Sequence, residues 1–247
     1  MNPSRTSIVA FLALLLCLFS KPCTGRAETV SDPLQPLNRK IFWFNEKVDI
    51  YVLEPAARAY DHAVPDRIQT SVTNFFNNLY FLVNFTNSAL QAKPVDAGRA
   101  LVRFLLNTVG GMGGLFDPAT SLGLPLKFED VGQTLGYWGV PPGPYLVLPL
   151  LGPSNVRDAF GRAADSALLV YPYFVPIYVS FGGTAFEVVN FRASVLGDIE
   201  AARRAALDYY VFVRNAYGQR RRALIDDSTV GEEQQEDLYD VDYDDSE

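Results

Sequence analysis

The stretch 104–121, Phe-Leu-Leu-Asn-Thr-Val-Gly-Gly-Met-Gly-Gly-Leu-Phe-Asp-Pro-Ala-Thr-Ser, sets the tightest limit on how this chain folds. Ala100, Leu101, Phe104, Leu105 and Val109 approach it at helical spacing. Gly110, Gly111, Gly113 and Gly114 then stop the helix, because glycine reaches backbone angles at which a Cβ clashes. Asp117-Pro118 follows, and a residue before proline is pushed out of the α region. The pattern predicts an apolar helix running into a tight elbow that displays Leu115 and Phe116. A glycine cluster also cradles phosphate in some proteins. Here no Gly-Lys-Ser/Thr follows, the G-x-G-x-x-G spacing is missing, and no strand signal precedes. Gly110 and Gly114 form a G-x-x-x-G, a helix-contact spacing, but at a helix end where that signal is weak. A sharp turn between packed elements is the simpler reading.

Residues 1–27 read as a secretory leader. Arg5 supplies the positive start, 8–19 is almost unbroken apolar sequence, and Gly25-Arg26-Ala27 fits a cleavage site before Glu28. Cys17 follows Leu16 and Cys23 follows Pro22, where an acylation site wants a small residue, so plain cleavage is expected. A chain cut there keeps no cysteine and hence no disulfide. The leader removes Arg5, Lys21 and Arg26, so the formal charge moves from -7 to -10. That charge is uneven. Residues 226–247 hold eleven Asp and Glu with no Lys or Arg, while 28–225 are close to balance at +1. The low pI therefore belongs to the tail, which has no apolar period and is expected to be a disordered, solvated extension. The chain left after the leader is long enough for one core or two small ones.

That body is rich in phenylalanine and tyrosine, yet no stretch after the leader reaches 18 uninterrupted apolar residues. Two readings stay open: helices lying within a membrane interface, or a soluble helical protein with an aromatic core. Leu37, Ile41, Phe44, Val48 and Val52 share one helix face, and Glu54-Pro55 is expected to end that helix. A second helix is predicted over 66–91, apolar on most faces around Phe75 to Phe85, with Phe76 facing lipid in the membrane reading. Pro94 opens a third that leads to the elbow. A short helix is expected within 128–137. Prolines 141, 142, 144, 149 and 153 then make an extended, looped segment whose apolar part, 145–151, needs cover. Helices follow at about 155–169, 183–195 and 198–223, the last ending in Arg220-Arg221-Arg222. No internal repeat is visible.

Catalytic chemistry leaves no positive sign. His62 is the only histidine and sits beside a proline turn, which fits a surface residue. No G-x-S-x-G marks a nucleophile, and no Cys/His set has metal-ligand spacing. Glu129-Asp130 is a carboxylate pair without a partner pattern.

Three separated motifs in collinear order carry a resemblance. Asp32-Pro-Leu-Gln-Pro-Leu-Asn-Arg-Lys-Ile-Phe-Trp-Phe-Asn, Phe104-Leu-Leu-Asn-Thr-Val-Gly-Gly-Met-Gly-Gly-Leu-Phe-Asp and Thr134-Leu-Gly-Tyr-Trp-Gly-Val-Pro-Pro-Gly-Pro-Tyr-Leu-Val-Leu-Pro resemble the MlaA (VacJ) family over about 31–222. The resemblance implies an all-α, ring-shaped bundle of amphipathic helices lying in the periplasmic leaflet of a Gram-negative outer membrane around a channel, with proline- and glycine-rich loops. It implies a non-enzymatic part in phospholipid trafficking, in which mislocalised phospholipid leaves the outer leaflet and passes to a periplasmic carrier. Phospholipid, the outer membrane, a trimeric porin and a periplasmic lipid-carrier protein are the implied partners, with no nucleic acid, no cofactor and no metal. Most members are lipoproteins, and the poor acylation signals at Cys17 and Cys23 depart from that. By position, Phe42, Trp43, Phe44 and Asn45 resemble a first-helix segment that helps set the channel state. Gly110, Gly111, Gly113 and Gly114 resemble the turn closing the ring, and the segment with Tyr145 and Leu148 a loop near the channel. Packing is the plain alternative for each residue, and a soluble periplasmic lipid-binding or scaffold protein is the alternative for the whole.

Overall fold

A computed structural model describes residues 30–169 and 171–227. The leader, its cleavage site, both cysteines and the tail from 228 lie outside the described residues. The chain is mostly helical. Its elements are α1 (Gln35–Val48), a π turn (Asp49–Leu53), α2 (Glu54–Ala63), α3 (Asp66–Leu79), α4 (Phe81–Leu90), α5 (Pro94–Val109) and α6 (Pro118–Ser121). They continue as α7 (Val131–Tyr137), a hairpin of β1 (Tyr145–Leu148) and β2 (Gly152–Asn155), α8 (Val156–Leu168), a 3-10 turn (Tyr171–Tyr173), α9 (Ile177–Ser194), α10 (Leu196–Ala205) and α11 (Tyr209–Asp226). The hairpin is antiparallel, with Tyr145 opposite Asn155 and Leu148 opposite Gly152.

Several boundaries differ from the sequence reading, each for a local reason. Pro55 does not end the first helix. The Glu54 N–H bonds to the Asp49 carbonyl five residues back, and this wider turn admits Pro55, which has no N–H to give, into the first turn of α2. The helix expected over 66–91 breaks at Tyr80, leaving α3 and α4. The last helix divides at Ala206, and the Asp208 carboxylate restarts it by accepting from the Val211 N–H at 3.2 Å. The acidic tail was expected from 226, but Asp226 still belongs to α11, and Asp227 closes that helix in the left-handed conformation. Its carboxylate pairs with Lys93 at 2.7 Å and Lys127 at 2.8 Å, fixing the end of α11 beside the start of α5.

Packing runs in a closed circuit. α1 lies on β1, β1 pairs with β2, and β2 meets α8 and α11. Both of these pack on α7, which leads through α4 and α3 to α9. α9 packs on α2, and α2 rejoins α1 through the π turn. An ion-pair cluster holds that last joint: Arg192 on α9 and Arg203 on α10 bond to Asp49 at 2.8 and 2.7 Å and to Glu54 at 3.3 and 3.0 Å.

The distribution of side chains along this circuit is inverted relative to an ordinary soluble core. Among the described residues, eighteen buried side chains are polar or charged and ten are apolar, five of those being alanines. Of the predicted apolar face, Leu37 and Phe44 on α1 and Val52 in the π turn are exposed, whereas Ile41 packs on the Tyr145, Val147 and Tyr210 cluster and Asn38 is buried. α5 exposes Leu101, Val102, Leu105 and Val109 and buries Arg103 and Asn107. α9 exposes Ile177, Tyr178, Phe181 and Phe191 and buries Asn190 and Arg192. Phe76 is a correction: it is 7 % exposed, packed on the inner side, whereas its neighbour Phe75 and Ile68 face out. No described helix is long and apolar enough to cross a membrane.

Candidate functional site

Two of the three segments singled out by sequence meet in space. α1 presents Asn38 and Asn45, two helical turns apart, to the free edge of β1. The Asn38 amide donates to the Tyr145 carbonyl at 2.9 Å and accepts from the Val147 N–H at 3.0 Å. The Asn45 amide repeats this one step along, donating to the Leu148 carbonyl at 2.9 Å and accepting from the Leu150 N–H at 2.8 Å. Each side-chain amide thus stands in for one peptide of a neighbouring strand, and the edge of β1 is closed. A third bond, from Asn38 to Asp32 at 2.8 Å, fixes the first asparagine.

The aromatic residues at this junction divide by face. Phe42 turns inward, its ring 5.6 Å from Tyr209 and 5.4 Å edge-on to Tyr210. Tyr145 is buried in the same cluster with Val147 and Tyr210. Burial pushes the Tyr145 and Tyr210 hydroxyls well above the usual phenol range, with Asp32 adding to both shifts, so both stay protonated, and Tyr210 donates to Asp32. Trp43 and Phe44 turn outward and are exposed, and the Lys47 ammonium lies 5.9 Å over Trp43 and 5.8 Å over Tyr51. Leu148 is half-buried at the end of β1, before Leu150, whose backbone is left-handed at φ 62.

The glycine elbow lies elsewhere, against α3 and α6. Its N–H groups collect the free carbonyls of α5: Gly110 bonds to Leu106 at 2.8 Å, Gly113 to Thr108 at 2.9 Å and Gly114 to Asn107 at 2.8 Å. Gly111 has an ordinary backbone angle but no room, since a Cβ there falls 2.3 Å from the Phe116 carbonyl oxygen and 2.4 Å from that of Asn107. Gly114 needs glycine twice over, with φ +96 and Asn78 filling the Cβ position. Leu115 and Phe116 stand exposed at the tip, as the pattern predicted, and Met112 joins them. Beneath, Arg103 bonds to Asp117 at 2.8 Å and to Thr120 at 3.0 Å, and Asn107 bonds to Asp117 at 3.0 Å. Burial opposes ionisation of Asp117, but the Thr120 hydroxyl at 2.7 Å and N–H at 3.0 Å, together with Arg103 and Asn107, donate to it and hold its carboxyl below the usual range.

Sequence reasoning missed Asn38 and a buried polar seam through α4, α7, α8 and α11. Gln91 bonds to Glu129 at 2.7 Å and to Thr134 at 3.1 Å, Thr134 to Asn87 at 2.8 Å, and Asn87 to Asp165 at 3.1 Å. On the other side of α7, Arg221 grips Asp130 with two bonds of 2.6 and 2.9 Å and Asp158 at 2.9 Å. Burial opposes ionisation of Asp130, but its bonds to Arg221 prevail and its carboxyl stays below the usual range. Among the described residues, the side chain of Asp165 bonds to Asn87 and the Val131 N–H rather than to an arginine. Burial pushes it up to about 6, and the bond from the Val131 N–H only partly offsets this. The signal for the seam was available: asparagines at 74, 77, 78, 84, 87 and 107 sit inside otherwise apolar helices. His62, by contrast, is exposed as expected.

The described residues thus form a helical protein with many apolar side chains outward and polar side chains paired inside, the arrangement of a protein that meets an apolar partner or a lipid surface. The chain matches the family model described as MlaA lipoprotein over residues 30–224, and it belongs to that family. It is 34% identical over 224 residues to the intermembrane phospholipid transport system lipoprotein MlaA of Escherichia coli K12, covering 86% of this chain and 88% of the relative. The Haemophilus influenzae protein of the same name is 32% identical over 237 residues, covering 92% of each. A solved chain, from work on the structural basis for maintenance of bacterial outer membrane lipid asymmetry, superposes with a TM-score of 0.71 at 35% identity, covering 79% of this chain and 99% of the other.

Proposed function

We propose that this protein removes mislocalised phospholipid from the outer leaflet of a Gram-negative outer membrane and passes it to a periplasmic carrier, without catalysing a reaction. It lies in the periplasmic leaflet, held by the outward apolar faces, beside a trimeric porin. The circuit of packed helices surrounds the passage, and the paired polar side chains on its inner side let a charged head group move through a hydrocarbon layer. The observation that supports this reading best is the inverted burial: Asn, Gln and Arg inside, Leu, Phe and Tyr outside. The family membership points the same way. In this reading the junction of α1 with the hairpin, including Phe42, Trp43, Phe44, Asn45, Tyr145 and Leu148, sets the state of the passage. The elbow at Gly110, Gly111, Gly113 and Gly114 turns the chain at the edge of the ring.

The test uses cells in which this gene is the only copy of its kind. Deletion should raise surface phospholipid, measured with a membrane-impermeant amine label, and make cells sensitive to SDS with EDTA. Complementation should reverse both, and the protein should need detergent for extraction. Extraction by salt alone would favour a soluble lipid-binding or scaffold protein. Unchanged surface phospholipid on deletion would remove the transport reading.

A further inference from the structure

Between the approach to β1, residues 30–31 and the last turns of α11 lies a cavity of about 560 Å³. Its size suits a small molecule or a few side chains. The charged side chains lining it are committed. Arg221 pairs with Asp130 and Asp158, Arg157 pairs with Asp158 and bonds to the Val140 carbonyl, and Arg222 is partnered as well. What the cavity offers an occupant is therefore apolar surface, chiefly Val30, Ile225 and the rings of Pro141, Pro142 and Pro144.

Residues 141–144 are exposed. Three of them are prolines without an N–H, and the Pro142 and Pro144 carbonyls accept from the Arg157 and Val156 N–H groups at 3.2 and 3.3 Å. Gly143 is the exception. Neither its N–H nor its carbonyl has a partner among the described residues. The wall thus sets apolar rings on both sides of one unused pair of main-chain groups. An extended peptide fits that pattern, since each strand residue presents an N–H and a C=O to one edge while side chains alternate between faces.

The chain carries such a peptide close by. Residues 228–247 follow α11 and lie outside the described residues. As a whole they have no helical stripe, but Tyr239-Asp240-Val241-Asp242-Tyr243 alternates apolar and acidic side chains, the period of a strand with one apolar face. Tyrosine and valine also favour extended backbone. Residues 228–238 form the link to it. A link of that length has an r.m.s. span of about 18 Å and a limit of about 36 Å. The cavity residues from Gly218 to Ile225 lie within about 14 Å of the end of α11, at 1.5 Å per residue. Span and distance match, which puts the local concentration of the segment in the millimolar range.

We propose that residues 239–243 dock in this cavity as an extended segment, with Tyr239, Val241 and Tyr243 on the proline wall, the main chain paired with Gly143, and Asp240 and Asp242 facing water. The contact is apolar and main-chain in kind, and the tail covers a wall that is otherwise open. The inference rests on the wall, the alternation and the link, and stands apart from the transport reading.

Hydrogen exchange of the full chain in dodecyl maltoside tests this, because the prolines leave Gly143 as the one amide within 141–144. In the wild type the Gly143 and Val241 amides should exchange at least about tenfold more slowly than in the double variant Tyr239→Ser, Tyr243→Ser. The double variant Asp240→Asn, Asp242→Asn, and salt raised from about 50 to about 500 mM, should change either rate less than twofold. Pro142→Glu, on the exposed wall, should speed Val241 exchange at least fivefold, and Pro144→Glu serves the same purpose should the first variant lose its helical circular dichroism. Equal rates in the wild type and the tyrosine variant overturn the proposal. So does Val241 protection without Gly143 protection, since the segment then docks elsewhere. Protection removed by salt or by the asparagine variant overturns it because the contact is then ionic. Protection that fades on twentyfold dilution also overturns it, since a second copy then supplies the segment.

Discussion

Asn38 and Asn45 make the same pair of bonds to one strand edge, but they differ in burial, and that difference predicts two different phenotypes. Asn38 is 1% exposed, and the backbone it serves belongs to Tyr145 and Val147, at 1% and 2%. Asn38→Ala leaves a buried carbonyl and a buried N–H without partners, at about 1–3 kcal/mol each. With the lost bond to Asp32, the expected destabilisation is about 3–5 kcal/mol, a large part of the stability of a domain. Asn45 serves Leu148 and Leu150, and Leu150 is 70% exposed, so water replaces part of what Asn45→Ala removes. The expected cost is about 1–2 kcal/mol, which raises hairpin opening about 5–30-fold without unfolding the protein. Hydrogen exchange in detergent reads this directly at the Val147 and Leu150 amides, and urea titration reads the global change. Asn45→Asp sharpens the test. It keeps the acceptor for the Leu150 N–H but sets a carboxylate against the Leu148 carbonyl, so it should open the hairpin more than alanine does. Unchanged Leu150 exchange in Asn45→Ala would refute the clamp. Equal losses of global stability for the two alanine variants would refute the argument from burial.

Gly111→Val should abolish folding or cost at least several kcal/mol, because the new Cβ meets two backbone oxygens. Gly113→Ala, with φ +76 but open space around it, should cost only about 1 kcal/mol in the same denaturation series. Phe181→Asp, at a position 71% exposed, should shift protein out of the membrane fraction by about 3 kcal/mol of partitioning, whereas Phe76→Asp should lower stability instead; retention of Phe181→Asp at the wild-type level counts against leaflet insertion. Asp165 binds its proton more tightly folded than unfolded, so its contribution is full below about pH 4, falls as pH rises through 6, and is absent above; Asp165→Asn should flatten that part of the stability-pH curve, and an unaltered curve would count against it. Intact mass of exported protein should place the mature N-terminus at Glu28 without acyl groups, and acylated Cys17 or Cys23 would refute this.

What the sequence revealed depended on how local the cause was. The elbow was legible because glycine and proline act on their own backbone, and so was the extended proline segment before β1. The break in the helix over 66–91 was not. Tyr80 carries no breaker residue, and the bend there follows from packing of α4 on α5 and α7 rather than from propensity. Pro55 misled for the opposite reason. A breaker was present, but a five-residue turn absorbed it. The face of each helix was the hardest point. Periodicity located the stripe of Leu37, Ile41, Phe44 and Val48, yet a stripe does not say whether its cover is protein or lipid. Phe76 was assigned outward on that ground and lies inward.

Asparagine settles the direction that leucine leaves open. A leucine stripe is stable against either a protein core or hydrocarbon, so its orientation carries little information. An asparagine within an apolar helix is costly against lipid and tolerable only with partners. Asn38, Asn78, Asn87 and Asn107 each find side-chain or backbone partners across an interface between elements. Their positions therefore fix which side of α1, α3, α4 and α5 faces inward, and the apolar residues must take the side that remains. The inverted burial follows from satisfying the amides first. An outward face of Leu, Phe and Tyr then needs a solvent that is not water, and in the reading proposed above a lipid leaflet supplies it, no described helix being long and apolar enough to cross.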